Sequence, residues 1–536
     1  MLSYSRIRQI AARTVVILGL IATSGGVRAQ PATRPSRPPN ILFLMTDQQT
    51  YSVLGSSGNP IVKTPHLDRL AEQGVRFTQA ACVTPFCSPT RASLWTGQWP
   101  HKHGITFNVA PDGRRPNRRR AQEPRASGLS DRHNVLHNVL ADRGYQVAYF
   151  GKWHLGDFQN LRCFREQGDA GDERAAYREW LAGQGDAVAS REPKEGEVFV
   201  RGDGGVFMNK AVAELVRGGS AGENSADAAD GEGNEVKVLG RSAVALAAQF
   251  STWLADRVMA WIERHADKPF MVTYSASPPH APWVAPDPYY SMYDPARMVL
   301  PPSFADQPAV YRSSRAATMG AQMGEVGIRE QLRCYYAQVS MVDEQVGRIL
   351  KKLHDLGLDD NTLVIFTSDH GDMQGTHGMM GKSVHAFYEA DVRVPLLLRH
   401  PPSISPGRVL DMACNSVDLM PTILDFAAID APPSVQGRSL KPVLTGAAGP
   451  DDRPSFCERG MGDRNTGRMI RTADWKYCLY AEGRRELFDL KRDPDEMKNV
   501  AADAANRAVA HKLDRQLRDW MHQTGDPVAD KLPPLD

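Results

Sequence analysis

Asn40-Ile41-Leu42-Phe43-Leu44-Met45-Thr46-Asp47-Gln48 is the stretch on which the fold turns. Its first six residues are largely apolar and lie between Pro39 and Asp47, which reads as a strand buried on both faces. Helices and strands alternate from there. Thr64 as cap, Pro65 at the first helical position and Gly74 at the end bracket a helix carrying Leu67, Leu70 and Ala71 on one face. A helix over about 134–142 stops at Gly144 before a strand over 145–150. Another over about 248–265 precedes a strand over 269–275, and one over about 330–356 precedes a strand over 362–367. The pattern predicts an α/β fold with a doubly wound, mostly parallel large sheet.

Beyond about Pro432 the texture changes. Arg468–Thr472, Trp475–Tyr480 and Glu486–Leu490 are short alternating segments separated by turn residues, which predict a small antiparallel sheet. A terminal helix over about 503–524 carries Leu513, Leu517 and Trp520 at helical spacing and is expected to dock against a sheet. The chain therefore divides into a domain over 40–430 and a smaller C-terminal α+β domain over 431–536. An exposed insertion interrupts the first at about 157–240, where 219–234 is rich in Gly, Ala, Asp and Glu and has almost nothing to bury.

Residues 1–29 read as a signal peptide: Arg6, Arg8 and Arg13, an apolar run over 15–21 too short to span a bilayer, and Val27-Arg28-Ala29 as cleavage site. A Pro-rich lead over 30–39 follows, and the expectation is export to a periplasm or beyond, with no stable membrane anchor. The 536 residues, 42% hydrophobic, suffice for one large core and a smaller one. A net charge of +2 argues against a dedicated nucleic-acid binder. Seven cysteines, at 82, 87, 163, 334, 414, 457 and 478, form no C-x-x-C pair. The odd count leaves one over, and the other six are enough for up to three bridges in an oxidising compartment.

Four predicted strands are followed at their carboxyl ends by groups suited to binding ions: Asp47 and Gln48, Lys152 and His154, His280, and Ser368-Asp369-His370. In an open α/β sheet such ends share one crevice. Asp47, Gln48, Asp369 and His370 supply two carboxylates, an amide oxygen and an imidazole, a set favouring calcium first, or magnesium or manganese, over zinc. Any one Asp after a strand is more often a turn former. Four coincident strand ends outweigh that reading. In Pro85 to Gly97, Pro89 at a first helical position with Ser88 as cap places Cys87 at the amide-rich end of a helix, where an anion is favoured. A low-pKa thiol nucleophile is the competing use of such a cysteine, but those work with a nearby His and no metal.

Cys87-Ser88-Pro89-Thr90-Arg91, followed after four residues by Thr96-Gly97, resembles the signature of type I sulfatases, and Thr367-Ser368-Asp369-His370-Gly371-Asp372 resembles the alkaline phosphatase superfamily. The likeness runs from Asn40 to about Pro401 and returns at the carboxyl end. It implies that a formylglycine-generating enzyme converts Cys87 to an aldehyde whose hydrate coordinates the metal and attacks sulfur, after which the aldehyde reforms and expels sulfate. It also implies that Arg91 holds the hydrate, that Lys152 binds sulfate, and that His154 assists collapse of the hemiacetal. His280 would bind sulfate or protonate the leaving oxygen, and Lys382 is another leaving-group acid.

Many relatives carry Asp-Asp where this chain has Asp47-Gln48 and Asp-Asn where it has Asp369-His370. The Gln/His combination resembles a branch that includes choline sulfatases and phosphonate monoester hydrolases. The resemblance thus implies an exported sulfatase acting on sulfated carbohydrate or another sulfate ester, with a phosphodiester or phosphonate monoester hydrolase as the alternative. A silent glycan-binding relative with unmodified Cys87 is a third reading. The basic run Arg114 to Arg120, with Arg125, is a solvated loop or a rim for polyanionic glycan. Arg471, Trp475 and Lys476 are candidates to border the crevice, Trp283 is read as buried with stacking on a sugar as the alternative, and His101, His103 and His377 as substrate contacts or support.

Overall fold

The structure, a computed structural model, describes residues 37–109, 128–167, 173–184, 197–200, 206–208, 239–242, 244–382, 386–462 and 465–535. The signal segment, the basic run over 114–125 and the stretch 219–234 lie outside these. Pro38 to Asp536 forms one compact unit.

Fifteen strands occur among the described residues: β1 (Asn40–Asp47), β2 (Val75–Ala81), β3 (Gln146–Gly151), β4 (Glu197–Val200), β5 (Val206–Met208), β6 (Leu239–Ser242), β7 (Phe270–Pro279), β8 (Trp283–Ala285), β9 (Thr362–Ser368), β10 (Leu396–Arg399), β11 (Arg408–Asn415), β12 (Ser455–Arg459), β13 (Gly467–Arg471), β14 (Trp475–Tyr480) and β15 (Arg485–Asp489). Seven of them form the main sheet in the order β11-β2-β10-β9-β1-β7-β3. Every neighbouring pair is parallel except those made by β10, which runs against both β2 and β9.

The apolar run of β1 is explained by its place. Ile41, Phe43 and Met45 enter the hydrophobic cluster on one face, and Leu42 and Leu44 the cluster on the other. In β9, Leu363 and Ile365 part from Val364 and Phe366 in the same way. A strand buried on both faces cannot alternate polar with apolar. The principal helices are α1 (Pro65–Glu72), α2 (Cys87–Thr96), α3 (Leu136–Ala141), α4 (Phe250–Arg264), α5 (Arg315–Asp355) and α6 (Arg507–Thr524).

Three local expectations change. The first two N–H groups of α1 beyond Pro65 are met by the Asp343 carboxylate of α5, at 3.2 and 2.8 Å, and Thr64 makes no cap bond. Helix α5 begins fifteen residues before the expected start at 330 and is broken at Gly324, whose φ is 60°. The seven cysteines are all buried and unpaired, in place of the bridges the count allows. Cys82, Cys163, Cys414, Cys457 and Cys478 share one hydrophobic cluster, in which the Cys457 and Cys82 thiols meet, while Cys334 lies in another. Within the expected insertion, Leu161, Cys163 and Phe164 are core residues, while β4, β5 and β6 join β8 in a small sheet.

Strands β12 to β15 form an antiparallel sheet in sequence order, and α6 covers it with Leu513, Leu517, Trp520 and Met521 against Ile470, Tyr477, Leu479 and Leu487. Buried charges fasten this sheet to the main one. Arg471 pairs with Glu389 at 3.0 Å, and Lys476 with Glu389 at 2.8 Å and Glu496 at 2.6 Å. Arg471 and Lys476 are therefore buried, with their charges spent on these ion pairs.

His101 is the other fastening. Its Nδ1 lies 2.6 Å from Glu458 and its Nε2 3.2 Å from the Thr524 carbonyl, two acceptors that both want a ring proton. Burial lowers its pKa, but Glu458, with help from Asp526, outweighs burial and raises it. Asp526 is itself taken by Arg468. A raised folded pKa gives stability that is complete below the unfolded value, about 6.5, and is lost as pH rises through the folded value. We expect the unfolding free energy of the wild type to fall more steeply than that of His101→Gln above about pH 6.5. Urea titrations across pH check this; parallel profiles would refute it.

Candidate active site

Strands β9, β1, β7 and β3 are adjacent, parallel and end on the same side, so the groups that follow them meet in one crevice. The register of β1 against β7 slips between Met45 and Asp47, where Met45 faces Ser275 but Asp47 faces Pro279. The extra length of β7 sets His280 beside Asp47.

Helix α2 lies across these ends and is buried along its whole length. A buried helix rich in Ser, Thr and Arg must satisfy each polar group. Ser88 Oγ donates to the His154 carbonyl at 2.6 Å, Thr90 to Thr84 at 2.7 Å and Thr96 to Ala92 at 2.7 Å, while Ser93 meets His103 at 3.0 Å. The helix begins at Cys87, not at Pro89 as expected, with Phe86 extended as cap. Pro89 still sits within the first turn, where a missing N–H costs no helical bond. Cys87 thus stands in the first turn.

Around Cys87 Sγ stand His370 Nε2 at 3.2 Å, Lys382 Nζ at 3.1 Å, Lys152 Nζ at 3.6 Å and Asp47 Oδ1 at 3.8 Å. His154 makes a side-chain hydrogen bond to the same sulfur. Lys152 also pairs closely with Asp47. Arg91, fully buried, donates to Asp369 at 2.8 Å, to Asp47 at 3.3 Å and to Ser275 Oγ at 2.9 Å. Its Nη1 also meets the Lys152 carbonyl, and the Tyr149 hydroxyl at 3.4 Å. Ser275 and Tyr149 escape a sequence reading because buried strand residues look like core.

The electrostatics follow from this packing. Burial pushes the Cys87 thiol up, but Lys152, Lys382 and His370 together hold it well below its ordinary value. Burial would lower His370, yet Asp369 and Cys87 lift it to about 9. Burial takes His280 down to about 3 against the pull of Asp47. His280 therefore enters the crevice as a neutral imidazole, with Nδ1 donating to the Ala281 carbonyl at 2.7 Å.

Asp47, Cys87, Asp369 and His370 offer ligand atoms that all lie within 4.8 Å of one another. His370 Nδ1 donates to the Gly371 carbonyl at 2.9 Å, which leaves Nε2 as the ligating nitrogen. Gln48 joins them through its backbone N–H to Asp369 at 3.0 Å. Two buried carboxylates, an amide and an imidazole are a donor set that fits one hard divalent ion. A ligating imidazole is neutral, so an ion there replaces the His370 proton. Among the described residues, one other group, His101, Glu458 and Asp526, is as compact, but Arg468 and the His101 ring already neutralise it.

All six candidate catalytic positions, Cys87, Arg91, Lys152, His154, His280 and Lys382, therefore come together, with the candidate metal ligands Asp47, Asp369 and His370 beside Cys87 and Gln48 bonded to Asp369. The three other histidines are supports: His103 is buried against Ser93, His377 pairs with Asp306 at 3.0 Å and packs on Tyr388, and His101 is the clasp above. Trp283 is buried in β8.

A parallel sheet that gathers these groups at its strand ends is the architecture of the alkaline phosphatase superfamily. The sequence profile described as "Sulfatase" matches residues 39–429, and one described as "N-sulphoglucosamine sulphohydrolase, C-terminal" matches 375–523. An ulvan-active sulfatase of Formosa agariphila is 28% identical over 528 residues, covering 97% of this chain and 88% of that protein. An N-acetylglucosamine-6-O-sulfatase of Bacteroides thetaiotaomicron is 25% identical, covering 97% and 92%. Among solved structures, a phosphonate monoester hydrolase of Agrobacterium radiobacter superposes with a TM-score of 0.69 at 23% identity, covering 91% of this chain and 96% of that one. The chain belongs to the sulfatase family and is a sulfuric ester hydrolase. No helix among the described residues is long and apolar enough to cross a membrane.

Proposed function

We propose that the chain is an exported, metal-dependent sulfatase that hydrolyses sulfate monoesters of carbohydrates, with formylglycine at position 87 made by a formylglycine-generating enzyme. The observation that carries this reading is the convergence of two lysines, two histidines and two carboxylates on one buried cysteine in the first turn of α2. A family relative that acts on N-acetylglucosamine 6-sulfate supports carbohydrate as the substrate class. In this reading Asp47, Gln48, Asp369 and His370 hold calcium, or magnesium or manganese in its place, and the bound ion supplies positive charge that polarises the sulfate and acidifies the attacking hydroxyl.

The chain's own groups do the rest. Lys152 and Lys382 reach the Cys87 side-chain tip from two strand-end loops and neutralise sulfate oxygens. Lys382, which stands beside position 87 and is also drawn by the charge of Asp47, is placed to donate to the departing alcohol. His154, whose Nδ1 is buried without a hydrogen-bond partner and whose burial keeps it neutral, is placed to take the proton whose loss lets the aldehyde reform. Arg91 fixes Asp47 and Asp369 and offsets one of their two negative charges, and Lys152 offsets the other.

Gln48 and His370 favour one competing reading, a phosphodiester or phosphonate monoester hydrolase on the same scaffold. Paired aryl esters distinguish the two: sulfate release from the monosulfate is expected to exceed release from the phosphate diester and the phosphonate monoester. The reverse order overturns the sulfatase assignment of substrate. Sulfated mono- and oligosaccharides then identify the sugar. Dialysis against a chelator is expected to abolish sulfate release, and calcium to restore it.

A further inference from the structure

Gln48 is held in a way its neighbours are not. Its φ is 67°, a left-handed conformation that non-glycine residues seldom adopt. Three partners hold it there. Its N–H donates to Asp369 Oδ1 at 3.0 Å, its carbonyl accepts from the Tyr335 hydroxyl of α5 at 2.5 Å, and its side-chain Nε2 donates to Asp372 Oδ2. Tyr335 in turn accepts from Thr50 N–H at 3.0 Å, and the second oxygen of Asp372 accepts from Gln374 N–H at 3.0 Å. Gln48, Tyr335 and Asp372 are all buried.

The contact with Asp372 has a chemical consequence. The two ends of a glutamine amide are nearly the same shape, yet one is a hard oxygen donor to cations and the other an NH2 that repels them. Either end fits the same space. A carboxylate accepts and does not donate, so it selects the NH2 end and turns the oxygen away from itself. Calcium, magnesium and manganese need that oxygen.

We propose that Asp372 is a positioning residue that sets the orientation of the Gln48 amide so that Oε1 serves the divalent ion, with Tyr335 fixing the backbone on which the amide stands. The proposal rests on the reading of Asp47, Gln48, Asp369 and His370 as the metal holder. Asp372 acts through Gln48 and touches neither substrate nor reacting atoms. A carboxylate–amide pair in this role explains how a glutamine can stand where many relatives have a second aspartate.

The test is calcium titration by calorimetry on the purified full chain, stripped with chelator, for the wild type, Asp372→Asn, Gln48→Ala and the double variant. Asn offers an acceptor or a donor, so it no longer selects one end of the amide. Asp372→Asn is expected to weaken calcium binding about 10–100-fold, the usual range for an outer-shell partner of a ligand. Its metal-free thermal midpoint is expected to match that of the wild type, a result a merely structural role would not give. Asp372→Glu, which keeps the acceptor, is expected to recover most of the affinity. In the Gln48→Ala background, Asp372→Asn is expected to add no further loss. Should Asp372→Asn fail to fold, Asp372→Ser carries the same expectation, because a hydroxyl also donates and accepts. Wild-type affinity in Asp372→Asn, or losses that add in the double variant, overturns the proposal. A wild type that binds no calcium, magnesium or manganese overturns the metal reading itself, and the proposal with it.

Discussion

Replacing Cys87 by alanine is expected to lower kcat/KM for sulfate ester hydrolysis by at least about 10⁴-fold, since loss of a nucleophile leaves only binding and charge stabilisation. The chain should remain folded, because Cys87 is small, buried and one methyl-sized step from alanine. Cys87→Ser is the more informative variant. Serine can take the sulfuryl group but has no second hydroxyl with which to expel it, so the expected result is no more than one alcohol released per enzyme followed by arrest. A rapid-quench assay against enzyme concentration reads this directly. In the active wild type the peptide bearing position 87 should be lighter by about 18 Da than the encoded sequence, the difference between a thiol and the aldehyde derived from it. Full activity with an unmodified cysteine, or steady turnover by Cys87→Ser, would falsify the formylglycine reading and restore the thiol hydrolase.

Replacing Arg91 by methionine is expected to destabilise the chelator-treated protein by about 3–5 kcal/mol, the cost of leaving buried charges without their partner. Arg91 is wholly buried and is the counter-charge to Asp369 at 2.8 Å and Asp47 at 3.3 Å. Methionine fills similar volume, so the loss reports charge more than packing. The penalty should shrink when calcium is added, because the ion takes over the neutralisation of the same two carboxylates. Arg91→Lys should cost less, keeping the charge but not the fork that reaches Asp369, Asp47 and Ser275 together. Urea unfolding with and without calcium measures both; a penalty that calcium leaves unchanged would show that Arg91 and the ion do not share those carboxylates.

Much of the site is legible in the chain because strand ends are. An apolar run buried on both faces announces itself, and the polar residue that ends it must lie at the sheet edge, as Asp47, Lys152 and Asp369 do. Helix limits are less legible. Cys87 rather than Pro89 opens α2 because the extended Phe86 supplies the turn, and proline is tolerated anywhere in the first turn. The cap of α1 was hidden because its carboxylate, Asp343, lies far along the chain on α5. The charged residues of β13 and β14 looked like crevice lining from their chemistry. Their partners Glu389 and Glu496 come from separate segments, and only packing shows that Arg471 and Lys476 are spent on holding the sheets together.

By itself the sequence determined the α/β class, the parallel order of strand and helix, the signature at Cys87 and the types of group available to an ion and an anion. Those are matters of local pattern: apolar periodicity, turn residues and short motifs act over a few residues and survive without coordinates. The tertiary structure alone decided which strands are neighbours, that β9, β1, β7 and β3 stand side by side, and that six distant side chains converge within reach of one sulfur. It also decided that Tyr335, and Asp372 at the end of a motif that gives it no role, hold Gln48 from two sides. The reason is that a hydrogen bond or an ion pair depends on distance and direction in space, and residues about three hundred positions apart, such as Gln48 and Asp372, acquire these only when the sheet closes around them.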